Sequence, residues 1–315
     1  MTGPLEIGAG ALAGLAALYL GARWLVGAAS DFAHRLGVSP LLVGLTVVAV
    51  GTSLPELFVA VSAAIGGHPG VSLGNVVGAN ALNIGLILGV AALVRPIRVE
   101  LRVLKWDLPV MFGASVLLAA FAADGRVGRA EGLLLLCAMA AYLAANVALG
   151  RRERADAALS DAVDGAGAAS VLGDLARAGA GIAALSLGAH LLVEAAVAAA
   201  AAFGVAESAI GMTLVAAGTT LPELVTTLVA AWRRQGDLAF GNILGSNIAN
   251  ALAVVGAAAA AAPLAADLEI RAIVALLALT SLAAPVMWRG FVVTRGEGAL
   301  LVSGYAAFLW FALRL

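Results

Sequence analysis

Two glutamates close the same short phrase in this chain, GTSLPE at 51–56 and GTTLPE at 218–223. Glu56 and Glu223 each fall near the middle of a long apolar stretch, where a charged carboxylate costs at least about 2.5–3.5 kcal/mol on insertion scales. Two such costs at matching positions call for a neutralising partner. A divalent cation supplies one, because two carboxylates cancel its charge, and Ca²⁺ accepts about six to eight oxygen ligands.

More hard oxygens lie nearby. The hydroxyls of Thr52, Ser53, Thr219 and Thr220 stand one helical turn before each glutamate. Pro55 and Pro222 remove a backbone N–H, so the helices are predicted to kink there and release carbonyls near Gly51 and Gly218. In the following stretches Asn83 and Asn250 stand four residues after Ala79 and Ser246, and Gly74, Gly78, Gly241 and Gly245 permit close helix contact. Soft ligands are missing from these phrases: Cys137, His34, His68 and His190 all lie outside them, which disfavours Zn²⁺ or Cu⁺. The plainer readings are carboxylic acids serving as hydrogen-bond glue between helices, asparagines doing the same, and glycines that only pack.

The elements that must carry these residues are membrane spans. The chain has 315 residues, 63% hydrophobic and 12% charged, against about 25% charged in soluble domains. Ten apolar stretches are long enough to cross about 30 Å of hydrocarbon: 5–29, 39–65, 71–94, 104–123, 130–149, 172–202, 208–232, 238–263, 269–288 and 296–313. They leave almost no room for a soluble domain. The first span lacks a basic leader region and reads as a retained helix. Cys137 in its apolar run is expected to pack in a core, and His190 with Glu194, one turn apart, to play a structural part.

Arginine and lysine orient the spans. With the N-terminus outside, thirteen of the 18 basic residues fall in cytoplasmic segments and four, Arg126, Arg129, Arg271 and Arg314, outside, with Arg23 inside a span. The positive-inside rule therefore predicts both termini to be extracytoplasmic, in a cell membrane of bacterial type.

The spans also repeat. Residues 44–83 and 211–250 agree at 17 of 40 positions with a constant offset of 167, and AALYLGARWLVGAA at 16–29 mirrors AALSLGAHLLVEAA at 183–196. Five spans per copy force the second copy to enter from the opposite side. The expected organisation is all-α, with ten transmembrane helices in two inverted five-helix repeats: 1–149, a cytoplasmic linker at 150–171, and 172–315. Secondary transporters use this arrangement and place their site at the midplane between the repeats.

The paired phrases, GTSLPE then GN(x)₂GAN(x)₂N and GTTLPE then GN(x)₂GSN(x)₂N, resemble the two alpha-repeats of sodium/calcium exchangers in the cation/calcium exchanger superfamily. That resemblance covers the whole chain. It implies that helices two, three, seven and eight enclose the cation sites while helices one and six slide across them. It implies Glu56 and Glu223 as shared Ca²⁺ and Na⁺ ligands, with Thr52 and Thr219 adding oxygens and the carbonyls of Ala49 and Ala216 serving Na⁺. Ser53, Thr220, Ser246, Asn83 and Asn250 match the remaining polar positions. Ala79 replaces a frequent serine, and Asn250 stands where potassium-dependent relatives carry Asp, which argues against K⁺ transport.

The expected function is antiport of Ca²⁺ against Na⁺, with Ca²⁺/H⁺ exchange as the alternative that the missing Ala79 hydroxyl keeps open. The substrates are ions, the surroundings a lipid bilayer, and neither a cofactor nor nucleic acid is expected. An intramembrane hydrolase would need a catalytic aspartate pair, a Ser/His dyad or a histidine metal cluster, and the repeated phrases hold none. A scaffold or ion sensor has little loop surface for partners.

Overall fold

The computed structural model describes residues 4–159, 168–202, 216–266 and 270–312. Among these the chain is mostly helical: α1 (Pro4–Leu36), α2 (Pro40–Thr52), α3 (Leu54–Ile65), α4 (Pro69–Val94), α5 (Val103–Ala122), α6 (Arg129–Leu159), α7 (Ala168–Ala202), α8 (Ala216–Thr219), α9 (Leu221–Trp232), α10 (Gly236–Ala261), α11 (Ile270–Trp288) and α12 (Arg295–Ala312). Proline marks several starts, because the first turn of a helix has no internal partner for the missing N–H. Pro40, Pro55, Pro69 and Pro222 all occupy a first or second helical position, and Ser39 caps α2 by accepting the Leu42 N–H at 3.3 Å.

Seven described helices are long and apolar enough to cross a membrane, and α2 and α3, bent by 43° at the break between them, are so when taken together. The bend sits at Ser53, whose ψ of 6° departs from the helix just ahead of Pro55. Thr220, with ψ 2°, makes the same break between α8 and α9. The kinks expected from the two prolines are therefore present. The first part of the predicted seventh span, 208–215, and the middle of the predicted linker, 160–167, lie outside the described residues.

Burial sorts the helices into layers. In the apolar windows of α4 and α10, 78% and 83% of residues are buried, against 22% in α1 and α7. The protein's interior is thus α4 and α10, while α1 and α7 lie outside and pack along each other. Their contact is a backbone approach: a Cβ on Gly14 would sit 2.9 Å from the Gly188 carbonyl oxygen, and one on Gly21 would sit 2.8 Å from that of Gly181. Small residues allow this, and in lipid close packing replaces the hydrophobic effect as the force between helices. At one end of the pair Arg35 meets Asp174 at 2.7 Å, and Arg177 meets both Asp31 and Asp174.

Several contacts recur at the sequence offset. Two antiparallel ladders pair β1 (Ile97–Arg98) with β4 (Val292–Val293), and β2 (Arg126–Val127) with β3 (Leu264–Ala265). Ile97 and Leu264 are 167 residues apart, as are Gly14 and Gly181, and Gly21 and Gly188.

Two expectations need amendment. The four two-residue strands depart from an all-helical chain. Cys137 is exposed on α6 rather than packed in a core. In a lipid-facing protein an apolar run does not imply an interior position, because its outer surface is apolar too. His190 Nε2 lies 3.3 Å from Glu194 Oε1 with both side chains about two-thirds exposed, unlike the buried glutamates.

Candidate ion-binding site

The two helix breaks bring the glutamates to the same place. Glu56 and Glu223, both in the first turn of a helix that restarts after a break, are fully buried. Gly245 in α10 helps set the approach: a Cβ there would lie 2.6 Å from both the Leu45 carbonyl oxygen and the Ala49 Cβ, so α2 can lie directly on α10.

The hydroxyls expected in the site are present, and they cross between the repeats. Ser53 Oγ donates to Glu223 Oε1 at 3.2 Å, and the Thr52 hydroxyl also faces that carboxylate. Thr219 and Thr220 face Glu56 in turn, and the two carboxylates feel each other's charge. Thr52 Oγ1 lies 3.5 Å from Ser246 Oγ. Neither oxygen of Glu56 completes a hydrogen bond of good geometry, nor does Oε2 of Glu223. Buried carboxylate oxygens without donors are costly, and two carboxylates sharing a buried site also repel. A cation between them would offset both penalties.

Asn83 and Asn250 are fully buried, and neither the amide oxygen nor the amide nitrogen of either residue has a hydrogen-bond partner among the described residues. Each sits at the opening of a π-helical turn, Leu82–Ile87 and Asn250–Val254, a local widening that recurs at functional positions. The third such turn near the site, Gly44–Val48, leads into Ala49, whose carbonyl accepts from Ser53 N at 3.1 Å and lies 3.3 Å from Thr52 Oγ1, as an alternative to the nearer Asn242 Oδ1 for that hydroxyl's one proton. Ala216 opens α8, three residues ahead of Thr219. Ala79 is buried and contributes no hydroxyl.

Several buried polar residues beside these escaped the sequence reading. Asn242 Oδ1 accepts from Thr52 Oγ1 at 3.2 Å, and Asn75 Oδ1 accepts from Thr219 Oγ1 at 3.4 Å. Asn80 donates across the interface to the Asn247 carbonyl at 3.2 Å. The signal for these was available, since Asn75 and Asn242, like Asn80 and Asn247, are repeated at the same offset inside the quoted phrases. Thr227, which accepts from Asn242 Nδ2 at 3.0 Å, has Ala60 as its counterpart and gave no signal. Away from the site, buried Asp107 accepts from the Tyr142 hydroxyl at 3.0 Å, and Arg102 donates to Asn146 at 2.8 Å. A carboxylate within the span 104–123 was itself a sequence signal.

This donor set consists of carboxylate, hydroxyl and amide oxygens, and among the described residues no cluster of three His, Cys, Asp or Glu adds softer ligands. It suits a hard cation. The profile of the sodium/calcium exchanger protein family matches residues 7–148 and 175–314. The chain belongs to the sodium/calcium exchanger family. Among relatives of this exchanger, the inner membrane protein YrbG of Escherichia coli is 35% identical over 95% of this chain and 94% of its own. The sodium/calcium exchanger MaX1 of Methanosarcina acetivorans is 33% identical over 95% and 96%. The solved sodium-calcium exchanger NCX_Mj superposes with a TM-score of 0.86 at 30% identity, covering the whole of both chains. The protein is thus a multi-pass membrane cation exchanger rather than an enzyme.

Proposed function

We propose that this exchanger is a secondary active antiporter that moves Ca²⁺ against Na⁺ through one buried site between Glu56 and Glu223. The observation that carries the reading is the set of buried oxygens that complete no hydrogen bond, both on Glu56, Oε2 on Glu223 and the amide oxygens of Asn83 and Asn250, together with the hydroxyls of Thr52, Ser53, Thr219, Thr220 and Ser246. The carbonyls of Ala49 and Ala216 complete the oxygen shell for Na⁺. Both ions need the same carboxylates, so each displaces the other, and exchange follows from that competition.

The site lies between two inverted five-helix repeats, 1–149 and 172–315, joined by the cytoplasmic segment 150–171, with both termini extracytoplasmic in the cell membrane. Supporting this are the family profile's two segments and the contacts that recur at an offset of 167. Because both glutamates are fully buried, ions reach them only when packed elements move. The glycine-faced, peripheral pair α1 and α7 is the element that slides, opening the site to one side at a time. Three Na⁺ against one Ca²⁺ would move one net charge per cycle, so the membrane potential would contribute about 2.3 kcal/mol per 100 mV.

The test is ⁴⁵Ca²⁺ uptake into proteoliposomes under an outward Na⁺ gradient and, separately, a matched pH gradient, for the native protein and for Glu56→Gln and Glu223→Gln. Na⁺-driven uptake lost in both variants is the expected result. Uptake driven only by the pH gradient would replace Na⁺ by H⁺ as coupling ion, the reading favoured by the absent hydroxyl at Ala79. Uptake that survives both substitutions would remove the site itself.

A further inference from the structure

The two threonines that flank the glutamates are held in corresponding ways. Thr52 donates to Asn242 Oδ1 and Thr219 donates to Asn75 Oδ1, and the two pairs are related by the 167-residue offset. A threonine hydroxyl has one proton and two lone pairs. Once the proton is committed to an asparagine oxygen, the lone pairs are left for a cation. The asparagine therefore decides whether its threonine acts as a ligand or as a competing donor.

That holds only if the amide shows its oxygen to the threonine and keeps it there. For Asn242 the orientation is enforced from the other side. Its Nδ2 donates to Thr227 Oγ1 at 3.0 Å and approaches the Glu223 carbonyl oxygen at 3.5 Å, and a carbonyl can only accept. Thr227 and Asn242 are both fully buried, so water does not substitute for either. Asn75 lacks this brace. Alanine 60 stands where the other repeat has Thr227, and the Asn75 amide nitrogen is buried without a partner. The two halves of the site share their first ring of oxygens but differ one ring further out.

We propose that Thr227 and Asn242 are positioning residues for ion binding: Thr227 fixes the Asn242 amide, which turns the Thr52 hydroxyl oxygen toward the ion, and this makes the Thr52 side of the site the stiffer of the two. This inference rests on Thr52 being a ligand, as set out under the function above. Removing the Thr227 hydroxyl lets the amide rotate and present N–H to Thr52, which takes up one of the hydroxyl's two lone pairs and turns its proton away from Asn242, toward the Ala49 carbonyl at 3.3 Å, so the oxygen is no longer free for the cation. The effect falls on ion affinity first, because the carboxylates and the moving helices are untouched.

The experiment uses the full-length protein in proteoliposomes, measuring KM for Ca²⁺ and the maximal rate of Na⁺-driven ⁴⁵Ca²⁺ flux in Thr227→Val, Thr227→Ala and Thr227→Ser, with Glu223→Gln alongside. The expected result is a KM raised about threefold to tenfold by valine and alanine, the range that one net hydrogen bond commands. Maximal rates stay within about twofold, and serine, which keeps the hydroxyl, restores the native KM. Unchanged KM in both the valine and alanine variants would overturn the proposal, as would a serine variant as impaired as valine. A loss of maximal rate and melting temperature at constant KM would overturn it too, by reducing Thr227 to packing. Alanine matches the residue already tolerated at position 60, so it remains informative should valine fail to fold. Full Ca²⁺ flux in Glu223→Gln would refute the underlying site instead, whatever the Thr227 variants do.

Discussion

Replacing Gly188 by alanine tests whether α1 and α7 are packed backbone to backbone. An added Cβ would lie 2.6 Å from the Leu18 nitrogen, 2.8 Å from the Gly14 carbonyl oxygen and 2.9 Å from Leu18 Cγ. Ordinary contact starts near 3.4 Å, so the helices must part locally by about 0.8 Å (3.4 − 2.6). Two of the three atoms are backbone and cannot swing aside. Overpacking of this kind costs about 1–3 kcal/mol, while the swap from glycine to alanine in a helix returns about 1 kcal/mol. Gly179, on the same helix, would meet nothing within 4 Å, so Gly179→Ala carries the propensity gain without the clash. The difference between the two variants cancels propensity and isolates the clash. Gly188→Ala should be about 1–3 kcal/mol less stable than Gly179→Ala by reversible unfolding in one detergent. Equal stability, or the reverse order, would refute the close approach of α1 and α7. Gly21→Ala, which meets the Gly181 carbonyl and the Leu185 nitrogen at 2.8 Å, should behave like Gly188→Ala.

Other outcomes follow from the same structure. Glu56→Gln replaces a buried carboxylate ligand by a neutral amide, so the stabilisation that Ca²⁺ gives the native form by mass action should be lost; a Ca²⁺-induced rise in melting temperature that persists in the variant would exclude Glu56 as a ligand. Tyr142→Phe deletes the hydroxyl that Asp107 accepts from at 3.0 Å and should destabilise by about 1–3 kcal/mol, whereas adding it to Asp107→Asn should cost less, as a double-mutant unfolding cycle would measure. Asp174→Asn weakens the contacts to both Arg35 and Arg177, but both arginines are substantially exposed and Arg177 keeps Asp31. Its cost should therefore stay below about 1 kcal/mol, and a larger loss in the same unfolding assay would make that ion-pair cluster a structural clamp.

The asparagines show where sequence reading stops. Asn83 and Asn250 could be placed beside the glutamates from their spacing, but whether they glue helices or await an ion depends on whether other groups reach their amides. Spacing along a chain does not fix that. Thr227 shows the same limit more sharply: it breaks the repeat and differs from its counterpart, and its use appears only when Asn242, on a different helix, turns its amide toward it. Cys137 was misplaced because hydropathy reports how apolar a segment is and not which side of it meets lipid.

Sequence by itself determined the membrane class, the recurrence of membrane-long apolar stretches, the duplication at an offset of 167, the two kinks and the pair of carboxylates. All of these are local or periodic properties, set by apolar length, by proline's missing N–H and by the cost of a charge in hydrocarbon. Tertiary structure decided that α4 and α10 form the interior, that the hydroxyls of one repeat face the glutamate of the other, and which asparagine orients which threonine. Those are contacts between residues about 145–195 positions apart, and they exist only once glycine-lined helices have closed on each other.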